Sequence, residues 1–166
     1  NFKSGDNTVR LTPIWTWAVV DYVRIEKDND APSYNFKVSD VDGFKVDGAK
    51  LLDRCGNEFV MRGVNLAYTW YESNAYSQLE AVANAGANTV RVVLTDGKAY
   101  GKAADPADKV MAFANKCKEY GMLTILEVHD ETGSNDIADL KDAAKYFANM
   151  AESLKGTESY IIINIA

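Results

Sequence analysis

Between Phe59 and the end of the chain, short apolar runs rich in β-branched residues alternate with stretches of three-four helical spacing. That alternation limits the fold more than any other feature. Strand one reads from Phe59 to Asn65, strand two from Thr89 to Leu94, strand three from Met122 to Val128, and strand four from Tyr160 onward. Each begins about 30 to 38 residues after the one before, the length of a single strand–helix unit. Helix one is expected from about Ala75 to Asn84, with Tyr76, Leu79 and Val82 or Ala83 on one face and Gly86 as its stop. Asp105-Pro106 opens helix two as an N-cap followed by proline at the first helical position, and Gly121 closes it. Asn135 or Ser134 caps helix three, whose apolar face is Ile137, Leu140, Ala144, Phe147, Ala151 and Leu154, ending at Gly156.

Repeated strand-then-helix units imply a parallel sheet with helices outside, an α/β fold. The choice lies between an open doubly wound sheet and a (β/α)8 TIM barrel. The first strand–helix turn lacks the Gly-rich phosphate loop of a dinucleotide-binding domain, and four units make half a barrel. The run Tyr160 to Ala166 has no turn residue or polar tail after it. The expectation is therefore a chain carrying the first four βα units, with the remaining half of the barrel as its partner. Residues 43–166 form this part, opening with a small hairpin of Phe44-Lys45-Val46, the turn Asp47-Gly48 and Lys50-Leu51-Leu52. Ahead of it, Thr8 to Thr12 and Trp17 to Glu26 read as strands separated by Pro13. Two strands hold no core alone, so residues 1–27 read as the last strands of a β-sandwich, with 28–42 as a linker.

The formal net charge of −6 argues against nucleic acid, because phosphate backbones select clustered Lys and Arg. No apolar run is long enough to span a bilayer. Cys55 and Cys117 lack metal or redox spacing; a buried free thiol is the reading for Cys117, with a Cys55–Cys117 disulfide as the alternative. Gly97-Lys98 and Gly101-Lys102 lack the spacing of a phosphate loop, Asp40-Val41-Asp42-Gly43 is too short for an EF-hand, and one histidine builds no His-rich zinc site. No metal and no cofactor is expected.

In parallel barrels the active site lies at the C-terminal ends of the strands. Those ends collect Asn65, Tyr68, Trp70 and Tyr71 after strand one, Arg91 and Asp96 on and after strand two, and Glu127, His129 and Asp130 on strand three. Glu127 and His129 are two residues apart and share a side of the strand, so Leu126 and Val128 face the helices. A buried glutamate needs a partner, and Arg91 or Arg62 supplies it, either as a structural ion pair or as part of a site. His129 reads as a satisfied core histidine or a cleft residue. The aromatics after strand one either stack on sugar rings or pack the loop on helix one. Trp15 and Trp17 carry the same pair of readings in the sandwich piece, where sandwich cores commonly bury a tryptophan.

Six segments in order carry a resemblance: Gly43-Phe44-Lys45-Val46-Asp47-Gly48, Phe59 to Asn65, Gly86 to Leu94, Leu126 to Asp130, Thr132-Gly133, and Ile161 to Ala166. Together they resemble glycoside hydrolase family 5, most closely its bacterial endo-β-1,4-mannanases. The resemblance implies retaining hydrolysis of β-1,4 links in mannan by two carboxylates. In similar enzymes the acid/base follows the Asn-Ile-Ala of strand four and the nucleophile lies on strand seven, both beyond Ala166, so the chain by itself is expected to be inactive and poorly stable. It further implies Arg91 as the arginine that tunes the nucleophile, His129 as a cleft residue near the cleaved sugar, and Trp70, with Tyr68, Tyr71, Asn65 and Asp96, as substrate-binding positions. Asn7 to Leu11 and Trp15-Thr16-Trp17 before Asp21-Tyr22-Val23 resemble the end of a family 35 carbohydrate-binding module. A secreted enzyme is the expectation. A family 5 cellulase and a non-catalytic polysaccharide-binding protein are the alternatives.

Overall fold

The computed structural model describes residues 43–98 and 100–165. The expectations for residues 1–27 and for the linker, Trp15 and Trp17 included, lie outside the described residues.

The described elements run β1 (Lys45–Asp47), β2 (Lys50–Leu52), β3 (Gly63–Leu66), α1 (Glu72–Asn84), β4 (Thr89–Leu94), α2 (Ala107–Glu119), β5 (Leu123–Val128), α3 (Ile137–Asn149), α4 (Ala151–Leu154) and β6 (Ile161–Asn164). β1 and β2 form the expected antiparallel hairpin. The other four strands form one parallel sheet in the order β3-β4-β5-β6. Sequential order, parallel pairing and a helix between successive strands make this part of a (β/α) barrel. The central strands β4 and β5, with the sequences TVRVVL and LTILEV, are buried almost throughout, as expected of strands covered on both faces.

The sheet's two faces divide by residue parity. Leu66, Val90, Val92, Leu94, Leu126, Val128 and Ile161 join Ala75 and Leu79 of α1, Val110, Phe113, Ala114 and Cys117 of α2, and Phe147 of α3 in one core. The spacing Val110, Phe113, Ala114, Cys117 places a single stripe of α2 against the sheet. The register sets Asn65 beside Arg91 and Ile125, and Val93 beside Glu127 and Asn164, on the opposite face. Gly86 and Gly121 follow α1 and α2 with φ of 86° and 70°, a left-handed conformation that stops a helix at little cost for glycine.

Four boundaries differ from the sequence reading. The first parallel strand begins at Gly63, because the residues before it serve other partners. Glu58 bridges to Leu52, the Phe59 N–H donates to Leu51 O, and the Phe59 ring meets Phe44 edge-on at 5.1 Å. The Asn88 side chain holds the next stretch, accepting from Arg62 N and donating to Val60 O. Helix one starts three residues earlier than expected. Helix two begins at Ala107, and Asp105 does not cap it: its carboxylate accepts from Thr95 N at 2.9 Å. Helix three is capped by Asp136, which accepts from Ala138 N, while Ser134 donates to Asp139. That helix breaks at Met150, which is buried, so its inward face is Ala143, Phe147 and Met150; Ile137 and Leu140 point outward. Both cysteines are free thiols, Cys55 exposed and Cys117 buried, which removes the disulfide alternative. Burial pushes the Cys117 thiol up to about 11.

Candidate active site

The sheet brings Arg91 and Glu127 together because they share a face on neighbouring strands, two residues apart in register. Arg91 Nη2 lies 2.7 Å from Glu127 Oε1, with the Glu127 side chain fully buried and that of Arg91 27% exposed. The same oxygen faces His129 Nδ1 at 3.0 Å and accepts from Thr132 Oγ1 at 3.4 Å. Arg62 is exposed and precedes the sheet, so Arg91 is the partner that matters.

His129 begins the loop after β5, where its own N–H still donates to Leu94 O of β4. That last ladder bond fixes the ring at the strand end. Trp70 meets the ring edge-on at 5.9 Å, and Tyr100 stacks over it at 6.4 Å with the planes 21° apart. Trp70 and Tyr100 touch each other at 4.8 Å, and the Tyr100 hydroxyl donates to His129 O. Tyr100 has φ of 62°, an uncommon conformation for a bulky residue and a local cost that packing must offset. Three rings from the loops after β3, β4 and β5 thus form one aromatic rim over the Arg91–Glu127 pair. Such faces suit the apolar C–H surfaces of pyranose rings.

A second polar group supports the rim from the side. The Thr95 hydroxyl donates to Asp130 Oδ2 at 2.7 Å, and Lys98 N donates to the same oxygen at 2.9 Å. Asp96 accepts from the same Lys98 N–H at 3.1 Å. Burial first, and then the neighbouring Asp130, hold the Asp96 carboxyl above its usual range. Asp105 joins the start of α2 to the end of β4, since its backbone N–H donates to Thr95 O and its carboxylate accepts from Thr95 N. Burial raises its carboxyl as well, opposed by the hydrogen bond from Thr95 N.

A family model described as Cellulase (glycosyl hydrolase family 5) matches residues 52–166. The chain belongs to glycosyl hydrolase family 5. It is 41% identical over 124 residues to a mannan endo-1,4-beta-mannosidase of Salipaludibacillus agaradhaerens, covering 75% of this chain and 40% of that protein. A second mannan endo-1,4-beta-mannosidase, from Cellvibrio japonicus, is 38% identical over 125 residues, covering 74% of this chain and 29% of that protein. The crystal structure of a beta-mannanase from Streptomyces thermolilacinus with mannohexaose superposes with a TM-score of 0.69 at 41% identity, covering 76% of this chain and 42% of that one. The chain therefore spans less than half the length of these relatives.

Of the family 5 positions expected at the cleft, the structure gathers Arg91, His129 and Trp70 into one contact group. Asp96 sits beside them in the β4 loop. Asn65 is exposed on β3 next to Arg91 in register. Tyr71 starts α1, its N–H donating to Ala67 O. Tyr68 does not reach the cleft. It is 2% exposed and packs on Phe113 of α2, with ring centroids 5.0 Å apart. The reason is parity: Tyr68 follows Leu66 by two, and the tight turn after β3 keeps it on the helix side. Burial raises its phenol well above the usual range.

Tyr100 is the rim residue that sequence reasoning missed. Its one signal is an aromatic between Gly97 and Gly101 in the loop after a buried strand. Thr132 lies in the Thr132-Gly133 segment, and its hydroxyl reaches both Glu127 and His129.

Proposed function

We propose that this chain forms the substrate-facing part of an endo-β-1,4-mannanase acting by retention. The observation that carries the reading is the Trp70–Tyr100–His129 rim above the Arg91–Glu127 pair, in a chain 41% identical to a mannan endo-1,4-beta-mannosidase. In this reading Trp70 stacks on a sugar, His129 contacts the sugar at the cleaved bond, and Arg91 helps keep the nucleophilic carboxylate ionised.

The two reacting carboxylates are proposed to lie outside the described residues. A retaining pair stands about 5 to 5.5 Å apart with one member reaching the glycosidic oxygen. Glu127 is sealed from solvent and committed through Oε1. Asp96 and Asp130 both accept from the Lys98 N–H, and Asp130 is held by Thr95 as well, so both are tied into the β4 loop. The edges of the sheet at β3 and β6, where Val64 and Ile163 are exposed, are the proposed seats of the remaining strands and helices. A polymer too large to cross a membrane fits a secreted enzyme, and the proposed family 35 module at residues 1–27 fits a polysaccharide substrate.

The test is release of reducing ends by the full-length translation product from β-1,4-mannan and from β-1,4-glucan. Faster cleavage of mannan supports the reading. Faster cleavage of glucan assigns a cellulase, and binding without cleavage assigns a polysaccharide-binding protein.

A further inference from the structure

Glu127 is the one fully buried acid in the described barrel wall, and all its hydrogen bonds converge on a single oxygen. Arg91 Nη2 at 2.7 Å, His129 Nδ1 at 3.0 Å and Thr132 Oγ1 at 3.4 Å all meet Oε1. Oε2 is buried without a hydrogen bond among the described residues. A simple ion pair does not require this arrangement, which uses one lone-pair region to fix two different side chains from two strands.

The contact with His129 has a chemical consequence. An ionised carboxylate only accepts hydrogen bonds. A bare Nδ1 at 3.0 Å would set two lone pairs against each other, so Nδ1 carries the proton. Tyr100 and Trp70 hold the plane of the ring, and a half-turn that keeps that plane would carry Nδ1 away from Glu127 Oε1, so the contact with Glu127 sets which nitrogen faces it. In the neutral imidazole Nε2 is then an acceptor. The ring is about one-third exposed, and Nε2 makes no hydrogen bond among the described residues.

We infer that Glu127 is a positioning residue: through Oε1 it holds the Arg91 guanidinium and fixes His129 as the Nδ1–H tautomer, so that Nε2 accepts a hydrogen bond from a sugar hydroxyl. The sugar-hydroxyl part rests on the mannanase reading; the tautomer part does not. A neutral histidine side chain in water favours the other tautomer, with the proton on Nε2. The arrangement therefore predicts a state that ordinary packing around a histidine would not impose.

The experiment uses the full-length translation product with 15N-labelled histidine, at a pH where the ring is neutral. His129→Asn identifies the resonances that belong to this residue. A protonated Nδ1 and a bare Nε2 in the unsubstituted protein are expected. A protonated Nε2 overturns the inference, whatever the activity. Glu127→Leu is expected to move the proton to Nε2, and Glu127→Gln, whose amide oxygen still accepts, to keep it on Nδ1. If Glu127→Leu does not fold, the spectrum of the unsubstituted protein and that of Glu127→Gln still decide. On β-mannan, Glu127→Leu is expected to lower kcat on the order of 100-fold through Arg91 misplacement while changing KM little, and Glu127→Gln, whose oxygen still accepts from Arg91, is expected to lower it less. An unchanged kcat overturns the hold on Arg91. An Nδ1–H tautomer in a protein without mannan hydrolysis refutes the mannanase reading and leaves the role of Glu127 in setting the tautomer standing.

Discussion

Replacing Arg91 by Met removes the cation from a carboxylate that has no access to water. Two unit charges about 4 Å apart attract by about 4 kcal/mol at the effective dielectric of protein sites. Breaking a buried pair from one side removes about 3 to 5 kcal/mol of stability, because the remaining charge stays uncompensated. Two features place Arg91→Met near the lower end. The Arg91 side chain is 27% exposed, so part of its charge is already hydrated. Glu127 also keeps His129 Nδ1 and Thr132 as donors. The expected loss is about 3 kcal/mol, read as a lower urea midpoint for the full-length product. Glu127→Leu alone strands Arg91 less severely, since the guanidinium can turn toward solvent. The double variant Arg91→Met with Glu127→Leu is expected to be much less destabilised than the sum of the two, as apolar replacement of a whole buried pair is often near neutral. A loss below about 1 kcal/mol for Arg91→Met, or strict additivity in the double variant, would refute the reasoning.

Three further outcomes follow from local geometry. A Cβ on Gly63 would sit 1.8 Å from Thr89 O, so Gly63→Ala is expected to force β3 away from β4 and lower the melting temperature. A melting temperature for Gly63→Ala equal to that of the unsubstituted protein would show that the close approach is absent. Asp96 has a folded-state pKa above its unfolded one, so its contribution to stability is present below about pH 4 and is lost as the pH rises through the folded value. Asp96→Asn is therefore expected to raise the melting temperature at neutral pH and to change it little in acid; a lowered value at neutral pH would contradict this. Asp136→Ala removes the hydrogen bond to Ala138 N that caps α3 and is expected to cost about 1 kcal/mol in the same denaturation assay.

What the sequence made legible was mostly periodicity. The run Thr89 to Leu94 is a strand with the expected bounds, and the run read from Met122 to Val128 is a strand from Leu123 to Val128. The two-residue spacing of Glu127 and His129 placed them on one side of β5, and the structure joins them through Oε1. Legibility failed where a residue had two possible partners. Phe59 looks like the start of a parallel strand, but the hairpin competes for its N–H and its ring. Asp105 has the position and chemistry of a helix cap, but Thr95 N is nearer in the fold. Tyr68 and Trp70 are alike in sequence and lie two residues apart, yet the turn between them sends one into the helix core and the other to the rim. Tyr100 depends on a left-handed backbone that composition does not signal.

The most direct measurement is a crystal structure of the full-length product with bound mannohexaose. The account predicts a sugar ring against Trp70 and Tyr100 at the C-terminal ends of β3, β4 and β5, with a hydroxyl donating to His129 Nε2. Sugar bound at another face of the barrel, or a rim left empty at saturating ligand, would contradict it.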